Sequence, residues 1–296
     1  MRSPIEFRSA RFDWSRPYIM GVVNVTPDSF SDGGRLGSVD AAVAHGEQLV
    51  ADGADLLDIG GEATNPRAQP VSAAVELARI APVIAALAKR VRVPISVDTT
   101  KAAVAAAAID AGAEIVNDVA GGRFDPEIAA ATAAGGAVYV CGHLRGASLA
   151  EVFAAEEGVP WTAVADELAE RLAALPPGLR ARTWIDPGLG FGKGSDPAAN
   201  LALCRHAGDL ARRLGCPVVV GPSRKRFLRR VLDADRAARD VPAVPWPPLA
   251  LDAATVGACL ASAAAGAHVL RVHDAGLLRA ALIAYAAVGH AEVGAA

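Results

Sequence analysis

Short runs of β-branched and other apolar residues alternate along this chain with Ala- and Leu-rich stretches of helical length, and that alternation limits the fold more than any other feature. A strand that pairs in parallel with the next needs a covering helix between them, whereas hairpin-linked sheets do not. Eight strands are predicted, ending near Val25, Ile59, Asp98, Asn117, Val140, Asp186, Val220 and Val272. Helices are predicted over 38–52, 72–89, 101–111, 126–134, 161–174, 198–214, 224–232 and 252–265, with one more from Gly276 to Ala287. Eight such units favour a closed barrel, because an open doubly wound sheet leaves edge strands exposed and usually has fewer units. The expected fold is a single (β/α)8 TIM barrel over residues 1–296. Gly53, Gly112 and Gly135 stand where three of the helices must stop and a left-handed residue is favoured. The segment 233–251, DADRAARDVPAVPWPPLAL, breaks the rhythm, and its prolines predict a long surface loop.

Composition closes off several functions. The net charge of −3 comes from intermixed acids and bases, without the basic block that follows a nucleic-acid backbone. Cys141, Cys204, Cys216 and Cys259 form no C-x-x-C, which argues against a zinc ribbon or a dithiol centre and for buried thiols in a reducing compartment. No apolar stretch reaches the length of about 18 residues that a membrane helix needs. A soluble cytoplasmic enzyme is expected.

In an α/β barrel the chemistry stands at the carboxyl ends of the strands. Unusual polar residues fall there in seven units: Asn24 leading into TPDSFSDGG, Asp58 into GGEATNP, then Asp98, Asn117-Asp118, Asp186 into PGLGFGKG, Gly221 into PSRKR, and Arg271 with His273 and Asp274. Each has a plainer alternative. Asp28, Gly33 and Gly34 suit ordinary turns, Asp58, Asp98 and Asp186 could cap the helices that follow, and Ser223-Arg224-Lys225-Arg226 could be a solvated helix start. Lys193 does not belong to a nucleotide loop, since Pro187 stands where G-x-x-x-x-G-K-[ST] needs its first glycine and Gly194 follows the lysine. Arg271 and His273 alternate along one strand face, which suits a divalent anion. Carboxylates and an amide on one side, with Arg, Lys and His on the other, fit a polar nitrogen heterocycle carrying a phosphorylated arm. No Ser-His-Asp or Cys-His nucleophile is apparent.

At these same residues the chain resembles the dihydropteroate synthase family. The segments that carry the likeness are MGVVNVTPDSFSDGG (20–34), DIGGEATNP (58–66), SVDTTK (96–101), AGAEIVNDVAGG (111–122), DPGLGFGK (186–193), GPSRKRF (221–227) and RVHD (271–274). The resemblance implies condensation of 6-hydroxymethyl-7,8-dihydropterin diphosphate with p-aminobenzoate, giving 7,8-dihydropteroate and diphosphate for folate synthesis. It places Asp98, Asn117, Asp186 and Lys225 around the pterin, and Asn24, Thr64, Arg271 and His273 at the diphosphate, with Asn24 helping to hold Mg2+. Phe30, Thr64, Pro66, Phe191 and Arg226 fall on the p-aminobenzoate side. The catalytic set is Asn24, Lys225, Arg271 and His273. The resemblance further implies a homodimer and a sulfonamide target, with no nucleic-acid or membrane partner.

The chain departs from the family pattern around the second substrate. Where the second loop normally reads G-G-E-S-T-R-P-G, Asn65 replaces the Arg and Arg67 the Gly; Arg226 stands for the usual Ser after S-R-K. Arg67 and Arg226 are expected to take over the lost anion contacts, because guanidinium is a strong carboxylate partner. The alternatives are a changed second substrate, pterin binding without turnover, or a pterin-binding methyltransferase. The last would not need the Arg271 and His273 anion site.

Overall fold

The computed structural model describes residues 3–26, 35–63 and 69–290. Ten strands run as β1 (Ile5–Glu6), β2 (Arg11–Phe12), β3 (Tyr18–Asn24), β4 (Leu56–Gly60), β5 (Ile95–Asp98), β6 (Ile115–Asp118), β7 (Val138–Gly142), β8 (Thr183–Asp186), β9 (Val219–Val220) and β10 (Val269–Val272). β3 to β10 form one parallel eight-stranded sheet in the order β8-β7-β6-β5-β4-β3-β10-β9. Its two ends meet where Ile185 bridges Val218 and the Ile185 N–H donates to the Pro217 carbonyl at 2.9 Å. The expected (β/α)8 barrel is present.

Twelve helices cover the described chain: α1 (Arg35–Ala51), α2 (Ala73–Arg90), α3 (Ala102–Ala111), α4 (Ile128–Ala134), α5 (Leu149–Ala154), α6 (Trp161–Ala174), α7 (Pro177–Arg180), α8 (Pro197–Arg205), α9 (Ala207–Leu214), α10 (Arg226–Ala238), α11 (Pro248–Ala264) and α12 (Ala275–His290). None is long and apolar enough to cross a membrane. The segment expected as a loop over 233–251 is largely helical: α10 continues through its Asp, Arg and Ala residues, and Pro248 begins α11, where its missing N–H costs nothing. Only 239–247 stays irregular. The helix expected over 198–214 breaks at His206, whose ring stacks on Trp161. Gly135 is right-handed; the left-handed turn falls one residue later on Gly136, at φ 70°.

Strand alternation sorts the core into two layers. Ile19, Val23, Leu57, Ile59, Val97, Val116 and Leu270 face outward onto the helices and are buried there. Tyr18, Met20, Leu56, Ile115, Val138, Val140, Trp184, Val219 and Val269 face the barrel axis. The lower end is closed by the β1–β2 hairpin, which the sequence reading lacked. Phe12 stacks on Tyr18 with centroids 3.9 Å apart, and Trp14 meets the edge of Trp184 at 5.5 Å.

Candidate active site

Followed upward from that apolar floor, each inward-facing column turns polar near the carboxyl end of its strand: Leu56 gives way to Asp58, Ser96 to Asp98, Ile115 to Asn117, Trp184 to Asp186, and Val269 to Arg271. Four of these side chains, Asp98, Asn117, Asp186 and Arg271, join Lys225 as the polar wall of an open recess of about 410 Å3, with Leu189 and Phe191 as its apolar one. Helix capping does not claim the acids, because α2 is capped by Ser72 and α8 by Asp196, while α3 has Lys101 at its start.

Arg271 organises the cationic side. Its Nε donates to Asp58 Oδ2 at 2.6 Å and its Nη2 to Asp98 Oδ2 at 2.7 Å. Burial acts to lower the guanidinium pKa, but Asp58 and Asp98 outweigh it and hold the group charged at any working pH. Asn117 Nδ2 donates to the same Asp58 oxygen at 3.0 Å. Burial pushes Asp98 up to about 7 against the pull of Arg271, with Asp58 and Glu76 adding to the rise. Asp186 is raised by burial too, although its Oδ1 accepts the Gly188 N–H at 2.7 Å.

The S-R-K-R cluster is divided by the backbone. Arg224 holds a left-handed φ of 56°, unusual for a side chain with a Cβ, and its guanidinium turns out to Asp252 at 2.8 Å. The next residue, Lys225, turns in and sets Nζ 4.0 Å from the centroid of the Phe191 ring. Burial, then Arg271, lowers this ammonium to about 8. Arg226 opens α10 and stays exposed, so a solvated helix start describes Arg224 and Arg226 but not Lys225. A second recess of about 650 Å3 adjoins the first across Phe191 and Lys225 and extends to Arg226 and Arg230.

His273 Nδ1 lies 2.8 Å from Ser223 Oγ, which itself accepts the His273 backbone N–H at 3.3 Å. Burial, followed by Arg271, Arg224 and Lys225, lowers the imidazole to about 3, so the ring is neutral. The Ser223 hydroxyl, already an acceptor from the backbone N–H, can donate to Nδ1, and in that tautomer Nε2 carries the proton and is a donor. His143 has a structural role. Its Nδ1 and carbonyl accept from the buried Lys193 Nζ at 3.0 and 3.2 Å, and its Nε2 meets Glu167 at 3.0 Å. The same Nζ donates to the Phe191 carbonyl at 2.9 Å, fastening the loop that carries Phe191. Gly188 lets that loop pass the His143 carbonyl, which a Cβ there would meet at 1.8 Å.

Asn24 ends β3 beside Gly60, where an added Cβ would sit 3.9 Å from Asn24 Oδ1 and 3.5 Å from Asp98 Cβ. Asn24, Asp98, Asn117, Asp186, Phe191, Lys225, Arg271 and His273 thus all stand at one barrel mouth, whereas Phe30, Thr64 and Pro66, with Asn65 and Arg67, lie outside the described residues. The expected set lacked Asp58 and Ser223. A polar residue at an inward position below a strand end marked Asp58 in the sequence; only the fold brings Ser223 to His273.

Three comparisons bear on this mouth. A family model described as pterin binding enzyme matches residues 20–273. The dihydropteroate synthase of Mycobacterium leprae is 42% identical over 277 residues, covering 92% of each chain. The Xanthomonas albilineans dihydropteroate synthase solved with 4-aminobenzoic acid superposes with a TM-score of 0.83 at 40% identity, over 95% of this chain and 96% of that one. The same enzyme in complex with 7,8-dihydropteroate gives 0.79 at 37% identity, over 98% and 100%.

Proposed function

The chain belongs to the pterin binding enzyme family, and from that premise we propose that its barrel mouth carries out the dihydropteroate synthase reaction on 6-hydroxymethyl-7,8-dihydropterin diphosphate and p-aminobenzoate. The observation that carries this reading is the convergence of Asp98, Asn117, Asp186, Lys225 and Arg271 from separate strand ends on one cavity. Asp98 and Asp186 accept from ring N–H groups, Asn117 adds an amide, and Lys225 donates to the ring carbonyl. Arg271 and the Nε2 of neutral His273 face the diphosphate, joined by Asn24 and Thr64. The C–O bond to diphosphate breaks, the p-aminobenzoate nitrogen forms the new C–N bond to the pterin methylene, and the amine proton is lost.

Diphosphate departure runs ahead of attack in this scheme. Cationic donors stand where negative charge accumulates, and two carboxylates stand by the ring, where positive charge develops. The scheme uses no protein nucleophile: among the described residues the four cysteines are all buried and form no disulfide, with burial raising Cys204 to about 11 and Cys141 to about 12. Thiols outside any disulfide also suit a reducing compartment such as the cytoplasm.

Magnesium fits the donor chemistry. It prefers oxygen ligands and is commonly held by few protein groups plus substrate phosphates and water. The described residues contain no cluster of three or more His, Cys, Asp or Glu side chains able to cage a metal, and the amide oxygen of Asn24 stands at the edge of the mouth. Bound there with the diphosphate, the ion would neutralise leaving-group charge. Purified protein given Mg2+ and both substrates should form dihydropteroate, and EDTA should stop it. Pterin diphosphate binding without product under these conditions would overturn the reading.

The adjoining recess suits p-aminobenzoate, its ring against Phe191 and its carboxylate toward Arg226, with Phe30, Thr64 and Pro66 completing that side. An arylsulfonamide offers the same aniline and is expected to compete there. Arg226→Ser should raise the KM for p-aminobenzoate and leave pterin affinity alone; an unchanged KM removes Arg226 from the subsite.

Binding of 6-hydroxymethyl-7,8-dihydropterin, chosen because it has no phosphate to titrate, should follow a bell in pH. Protonation of Asp98 below about 7 removes an acceptor, and neutralisation of Lys225 above about 8 removes a cationic donor. Asp98→Asn should flatten the acid limb, and an intact limb in that variant would show that another group sets it.

A homodimer is supported by exposed apolar side chains on the adjacent helices α11 and α12, where Leu249, Ile283, Tyr285 and Val288 are 70%, 63%, 50% and 78% exposed. Sedimentation should give a dimer, and Ile283→Asp should shift it to monomer; no shift would place the interface elsewhere.

A further inference from the structure

We propose that Asp58 is a positioning residue, the fixed anchor that keeps Arg271 in place when the pterin ring takes Asp98 away from it. The inference rests on the pterin reading above. Arg271 is tied to two carboxylates, one through Nε and one through Nη2. These carboxylates are not equivalent. Asp98 lines the cavity and its side chain is 17% exposed, whereas Asp58 is fully buried beneath it. A ligand that takes Asp98 Oδ2 as its acceptor competes with the Nη2 contact and leaves the Nε contact whole.

Asp58 can absorb that change. Its Oδ2 accepts from both Arg271 Nε and Asn117 Nδ2, while its Oδ1 is buried with no partner among the described residues. A buried carboxylate oxygen without a donor is a reserve of unmet hydrogen bonding. Closure of the guanidinium onto both oxygens fills it, because Nε and an η nitrogen form the fork that grips a carboxylate bidentately. The remaining η nitrogen is then free to face the diphosphate. Asp58 also fixes the polarity of Asn117. A carboxylate only accepts, so the amide must present Nδ2 to Asp58 and Oδ1 to the pocket.

The test uses Asp58→Asn, which removes the charge but retains an oxygen able to accept from Asn117. Against the unmodified enzyme it should lower kcat and weaken pterin diphosphate binding, each by roughly tenfold to hundredfold, with the KM for p-aminobenzoate changed by less than about twofold. In an Arg271→Gln background the same substitution should weaken binding by no more than about twofold, because its effect acts through Arg271. Asp58→Asn with unchanged kcat and binding, or with its full effect retained in the Arg271→Gln background, overturns the proposal. An unmodified enzyme that makes no dihydropteroate overturns this inference together with the reading beneath it, while an active one isolates the inference. Should Asp58→Asn fail to fold, a crystal structure of the unmodified protein with pterin diphosphate decides: Arg271 paired with Asp58 and parted from Asp98 supports the proposal, and Arg271 parted from Asp58 refutes it.

Discussion

Arg271→Ala is expected to cost about 3–5 kcal/mol of stability and to leave no measurable turnover. Both effects have one source. Asp58 is fully buried and Asp98 partly so, and the guanidinium is bonded to each. Its removal strands two carboxylates in a low-dielectric pocket, where an uncompensated charge is costly. The same deletion removes the cation proposed to face the departing diphosphate. Arg271→Lys separates the two roles. A lysine restores a charge beside the carboxylates but not the planar fork, so stability should recover further than kcat. A urea midpoint for Arg271→Ala equal to that of the unmodified protein would show that the buried pair has no net stabilising effect.

Lys225→Ala should behave in the opposite way, abolishing pterin binding without weakening the fold. Deleting a charged partner from a desolvated contact typically costs about 2–5 kcal/mol, or roughly 30-fold to several-thousand-fold in affinity. Calorimetry with pterin diphosphate should therefore register no heat at concentrations that saturate the unmodified protein. Stability follows from the sign of the lysine's shift. Its folded-state pKa of about 8 lies below the ordinary value of 10.5, so at pH 7 folding works against the charged form. That penalty is fully present below about 8 and fades as pH rises toward 10.5. Removing the ammonium at neutral pH lifts it, so the urea midpoint should hold or rise. A midpoint that falls as far as in Arg271→Ala would mean that Lys225 is a structural cation.

How much of this was legible in the residues depended on how local each signal was. The eight strand units could be read because alternation of apolar runs and helical stretches is a property of neighbouring residues, and the barrel followed from their number. Asp98, Asn117, Asp186 and Arg271 could be placed at the mouth because each closes a strand. Other features depend on contacts distant in the chain. Asp58 is joined to Arg271 across 213 positions and Ser223 to His273 across 50, separations that no periodicity encodes. The hairpin was missed because two-residue strands carry almost no pattern; its aromatic residues acquire meaning only against Trp184. The reading of 233–251 failed for a local reason, since proline was taken to exclude a helix when Pro248 only starts one.

The aromatic floor made by Phe12, Trp14, Tyr18 and Trp184 closes the lower end of the barrel, so that among the described residues the mouth is its door. Two reactants and two products must use it, and they cannot pass one another inside. In the proposed assignment the pterin berth lies against the strand ends, whereas the arylamine recess beside it reaches out over the start of α10. An arylamine that arrived first would stand across the approach to the berth behind it. On that assignment the expected traffic is a queue: pterin diphosphate enters first and p-aminobenzoate second, and the joined product, which fills both berths, leaves before the next pterin can enter.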